Sequence, residues 1–266
     1  MFLIRRLTPA IVSLLTAASL ISFVFRPSFL LALFGGNLAT LAGMASGLCL
    51  FALSLGMLNI GAYHPLTSRF RFLLFPLIFV VSTFVSVSFL EPRLTALLII
   101  ALCSGLLWLW YESLYTYWQQ PERYHAYTLQ KLSGSLYVIG VFFVITAVNG
   151  IYVYLQMRFW GGVILVLTAL FALFYDIFLL CQFERTEALI AASAASFLAA
   201  EAYIAMSYMP TQIYVEALLM AVVFYGLVGV TKLWSQEDFR RSQWLPYAIV
   251  AASCFVLTLG SSLWIF

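Results

Sequence analysis

The sequence predicts an all-α, polytopic transmembrane helix bundle of about nine spans, and three observations carry that prediction. Hydrophobic residues fill 64% of the 266 positions and charged residues only 9%, whereas roughly a quarter of a soluble domain is charged. Apolar runs recur at about the 20-residue length that crosses the hydrocarbon of a bilayer. Basic residues fall on alternate connections between those runs, which is the signature of a fixed orientation.

The runs cover residues 7–25, 38–60, 72–90, 94–118, 133–155, 160–182, 187–208, 212–233 and 246–264. The first has a signal-like shape, with Arg5 and Arg6 ahead of an apolar stretch. It lacks a convincing small-residue cleavage site, so it reads as a retained span. Ahead of the second span the chain is apolar almost without interruption from Ser28 to Ala62, too long for one crossing. Arg26-Pro27-Ser28 is a helix-start signal and Gly35-Gly36-Asn37 a stop, which together predict an interfacial or re-entrant helix over 28–34. The remaining connections are short hairpins except 119–132, the longest cytoplasmic loop. The chain is therefore expected to be a single integral-membrane domain over 1–266.

Orientation follows from the cations. With the N-terminus cytoplasmic, Arg5, Arg6, Arg69, Arg71, Arg123, Lys131, Arg185, Lys232, Arg240 and Arg241 collect inside, and only Arg26, Arg93 and Arg158 outside. This predicts N-in and C-out. Trp118, Trp160, Trp234, Trp244 and Trp264 all fall at span ends, where indole prefers the interface.

Close packing between helices in lipid depends on small side chains. The second span offers Gly43 and Gly47. In the seventh, Ala188, Ala192, Ala195 and Ala199 form one ridge, while Glu187, Ile190, Ala194, Phe197, Glu201 and Tyr208 lie opposite. A carboxylate on that opposite face is expected to meet another helix or a wet cavity.

Acids inside a bilayer are functional candidates by default. Glu112 and Asp176 are expected at matching depth on the inner side, and Glu201 and Glu216 on the outer side, with Asn149 near the latter and able to donate to a carboxylate. No Lys or Arg lies in the middle of any span, so these acids are expected to lack basic partners. A carboxylate stripped of water and counter-ion is neutralised by a proton or a cation, which makes Glu201, Asp176, Glu216 and Glu112 candidate proton or cation ligands. Tyr175, Tyr203, Tyr208 and Tyr225 are available if the acids serve only to join helices.

Other chemistry has little support. Asp176 and Glu201 are expected to differ in depth by ~10 Å, too far to share a proton as a proteolytic dyad. His64 and His125 fall in inner loops and join no metal-binding motif, and no P-loop or dinucleotide fingerprint is present. Gly43-Met44-Ala45-Ser46-Gly47 has its serine in the wrong place for a nucleophile elbow. The cysteines have neither disulfide-framework nor zinc spacing. No catalytic set, metal or cofactor is expected, and the basic residues are too dispersed for nucleic acid. The expected partners are membrane lipids and other membrane-protein subunits. Three classes stay open: a transporter or channel-like protein using its carboxylates, a structural or assembly subunit, and a lipid-processing enzyme built around His64 and His125.

The stretch from Glu201 through Tyr208-Met209-Pro210, followed by an aromatic eighth span ending in Lys232-Leu233-Trp234, resembles multi-pass bacterial inner-membrane proteins of unassigned function. The resemblance implies a bacterial cytoplasmic membrane and supplies no activity or catalytic residue.

Overall fold

A computed structural model describes residues 2–25, 49, 52–53, 66–90, 93–119, 128–181, 183–209 and 212–235, together with 245, 249–250, 252–253, 256 and 260. Seven helices lie among them, with no strand: α1 (Phe2–Phe25), α2 (Leu66–Ser88), α3 (Arg93–Gln119), α4 (Thr128–Tyr154), α5 (Phe159–Leu180), α6 (Arg185–Ser207) and α7 (Ile213–Ser235). Five of these, α3 to α7, contain stretches long and apolar enough to cross a membrane. They coincide with the fourth to eighth expected spans. The first and third expected spans are α1 and α2, helices of 24 and 23 residues. The second and ninth spans fall largely outside the described residues, as do the 28–34 segment, Gly43, Gly47, His64 and His125.

The helices run past the apolar stretches because backbone hydrogen bonding does not stop where hydrophobicity does. Thus α4 begins at Thr128, inside the segment expected to be a loop over 119–132, and of that segment 120–127 lies outside the described residues. Proline is accommodated within α1 at Pro9 and within α2 at Pro76, as neighbouring groups in a membrane bundle re-satisfy the freed carbonyls.

The helices group into two compact units, Met1–Leu132 and Ser133–Phe266. In the first, α1 packs most extensively on α3, and α2 packs on both. The buried stripe of α1 is Thr8, Val12, Thr16 and Leu20, each at most 3% exposed, and its four-residue spacing keeps the stripe on one helix face. On that face Thr16 Oγ1 donates to Val12 O at 3.0 Å, and beside it Ser19 Oγ donates to Leu15 O at 2.8 Å. Aromatic rings fill the space between α2 and α3, with Phe75 against Trp110 at 4.9 Å and Phe72 edge-on to Trp118 at 5.1 Å.

In the second unit, α6 packs on α5 and on α7. Ala188, Ala192, Ala195 and Ala199 are buried, so the alanine ridge is the surface through which α6 approaches its neighbours. Phe174 of α5 meets Phe224 of α7 with ring centroids 4.4 Å apart. α4 and α5 are joined by Leu155 to Arg158 alone. Gln156 takes a left-handed conformation there, φ 51°, which reverses the chain immediately after α4 in the way an αL residue ends a helix.

Candidate functional site

The polar side chains of the second unit converge on α4. Nine residues into it (137 − 128), the Tyr137 hydroxyl donates to Asp176 Oδ2 of α5, and both residues are buried at 1% exposure or less. Their meeting follows from the tight turn between the two helices: Tyr137 lies 17 residues before Tyr154 (154 − 137) and Asp176 lies 17 after Phe159 (176 − 159). Antiparallel helices bring such residues to one level.

The second cluster lies 12 residues further along α4 (149 − 137), ~18 Å by helical rise. Asn149 Nδ2 donates to Glu216 Oε2 of α7 at 2.7 Å, and Asn149 Oδ1 accepts from the Tyr203 hydroxyl of α6 at 2.8 Å. The amide thus uses both of its functional ends, and the direction of donation runs from tyrosine through asparagine to the carboxylate. α5 closes the same region: a Cβ added to Gly162 would stand 3.7 Å from the Tyr203 hydroxyl. Four helices therefore surround the cluster.

All three of its residues are close to helix ends. Asn149 is five residues from Tyr154, Tyr203 four from Ser207 and Glu216 three from Ile213, which is ~5–8 Å along the axes. Asn149 and Tyr203 are buried while Glu216 is half-buried. The cluster is thus a carboxylate at the mouth of a helix bundle, backed by a buried amide and phenol. Val141, Val144, Ile145 and Val148 are buried on α4 between the two clusters. The buried hydroxyl between them, Thr146 Oγ1, donates within the helix to Phe142 O at 2.8 Å, so along α4 the Asp176 and Glu216 carboxyls are two polar points rather than one chain of donors.

The remaining sequence candidates fall elsewhere. Glu112, expected without a basic partner, forms an ion pair with Arg6 of α1, whose guanidinium also stands 5.4 Å from the Tyr115 ring centroid. The flexible arginine stem explains the difference: Arg6 sits at a helix end, yet its side chain extends along the protein to an acid farther in. Glu201 is exposed on α6 and makes no hydrogen bond or ion pair among the described residues, as are Ile190 and Phe197 on the same face, at 68% and 62%. Among the described residues no group of His, Cys, Asp and Glu is arranged to hold a metal ion.

Long apolar helices with polar side chains gathered between them define the class, a helical integral-membrane protein. Within that class the chain belongs to the family described as "Protein of unknown function (DUF5656)", whose model matches residues 7–260. No curated protein and no solved structure matches it.

Proposed function

We propose that this is a nine-span protein of a bacterial inner membrane, N-terminus cytoplasmic and C-terminus outside, that acts as a transporter or channel-like protein by binding protons or a small cation at Glu216. The observation that carries this reading is the Tyr203–Asn149–Glu216 cluster at the bundle mouth. A half-buried carboxylate needs neutralisation when it leaves water, and one close to helix ends can exchange its proton or cation with solvent. Asn149 fixes the carboxylate through one oxygen, and Tyr203 fixes the amide, so the site is oriented before anything binds. Glu201, Asp176 and Glu112 are less suited to the role. Glu201 stands on an open face, Asp176 is committed to Tyr137, and Glu112 already has a cation.

The test is flux. Purified protein in vesicles should dissipate an imposed proton or monovalent-cation gradient, and Glu216→Gln should reduce that rate at least about tenfold while the helical circular-dichroism spectrum is kept. Such a drop corresponds to about 1.4 kcal/mol. Flux that persists undiminished in a folded Glu216→Gln protein rules the proposal out, as does a wild-type protein that moves no cation.

A further inference from the structure

Aromatic rings gather on the side of the Glu216 cluster that faces the helix ends. Tyr152 lies three residues after Asn149 on α4 (152 − 149), a spacing that keeps both side chains on one helix face about a turn apart. It stands within electrostatic reach of Tyr203. Its ring meets that of Phe159, the first residue of α5, edge-on with centroids 6.4 Å apart, and Phe159 in turn meets Tyr208, the residue that caps α6, at 6.2 Å. Rings from three helix ends thus form one continuous group. An interfacial belt needs only outward-facing aromatics, whereas these touch one another across helices, and Tyr152 shares the face of α4 from which Asn149 reaches α6 and α7.

The polar groups beside the rings narrow what can bind. Asn149 Oδ1 accepts from Tyr203, and Glu216 Oε2 accepts from Asn149, which leaves Oε1 as the carboxylate oxygen that no hydrogen bond engages among the described residues. Hard metal cations gather about six or more oxygen ligands, and no group of His, Cys, Asp and Glu arranged for a metal is present among the described residues. An organic ammonium ion asks for a different set: one carboxylate for its charge and aromatic faces for its alkyl groups. We infer that the cation taken at Glu216 is an organic ammonium ion, its charge against Oε1 and its alkyl groups against the rings of Tyr152, Phe159 and Tyr208. This rests on the reading of Glu216 as a cation site and narrows that reading to one chemical class. A free amine and a choline or ethanolamine headgroup carry the same chemistry.

Isothermal titration calorimetry of the full-length protein in maltoside micelles tests the inference, with tetramethylammonium chloride and sodium chloride as the probes. Tetramethylammonium should bind at least about tenfold more tightly than sodium, and Glu216→Gln should abolish its binding. Tyr152→Leu removes a ring and should weaken tetramethylammonium binding at least about threefold, within the range for a cation on an aromatic face. Tyr152→Phe keeps the face and should bind as the wild type does, and Tyr117→Leu, at an exposed aromatic of α3, should change nothing. Added phosphatidylcholine identifies the source: competition with tetramethylammonium assigns the site to a lipid headgroup, and unaltered binding assigns it to a free amine. Equal affinity for the two ions overturns the inference, as does tetramethylammonium binding that persists undiminished in folded Glu216→Gln or Tyr152→Leu. An equal loss in Tyr152→Phe and Tyr152→Leu overturns it too, because the hydroxyl and not the face would then be responsible. Cation flux that depends on Glu216 without a tetramethylammonium preference would leave the carboxylate site standing and remove this ligand from it.

Discussion

Tyr137 and Asp176 show what one hydrogen bond does in the interior of this bundle. Both side chains are buried, and removing a donor from a buried polar pair leaves the partner's desolvation uncompensated, about 1–3 kcal/mol. Tyr137→Phe should therefore lower the thermal unfolding midpoint in detergent measurably, without a change of helix content, and Asp176→Asn should lower it less because an amide still accepts from the phenol. Equal stability of Tyr137→Phe and the wild type would mean that the pair contributes nothing. At this scale the sequence was legible in part. Asn149 could be placed near the outer acids because position within a span gives depth, and the structure joins it to Glu216. Tyr137 was not foreseen as the partner of Asp176, because the pairing depends on where the α4–α5 turn falls; counting outward from Leu155–Arg158 recovers it. Arg6 escaped for another reason: depth arguments use Cα positions, while arginine reaches well beyond its own.

Helix α6 is the element whose two faces are read most directly from spacing. Ala188, Ala192, Ala195 and Ala199 fall on one wheel face and are buried, and the opposite face is exposed. Enlarging the ridge should be costly and enlarging the outer face should not. Ala195→Leu is expected to destabilise by roughly 1–3 kcal/mol, the range for added methylenes in a packed core, while Ala194→Leu should stay within about 0.5 kcal/mol, as surface changes do. Thermal unfolding of the two variants side by side decides the matter, and comparable losses in both would mean that α6 is enclosed on both sides. Periodicity could say that the faces differ but not which neighbours each would meet, since that depends on the order in which helices assemble. Spacing places Glu201 on the face opposite the ridge, and that face is exposed.

For the whole molecule, composition and the length of apolar runs made the helical membrane class legible before any contact was known, and five expected spans coincide with α3 to α7. Which helices pack together was not legible, because span lengths are silent on that. Ten basic residues against three still predict N-in and C-out. A phosphatase fused to the C-terminus should be active outside the cytoplasm, and a fluorescent protein at the same point should stay dark; the reverse result would remove the odd span count. The central claim concerns the carboxyl at the bundle mouth, and infrared difference spectroscopy during a pH or cation titration addresses it most directly. A carboxyl signal that appears in the wild type, shifts in Asn149→Leu and vanishes in folded Glu216→Gln is the predicted result, and a signal unchanged in Glu216→Gln would contradict it.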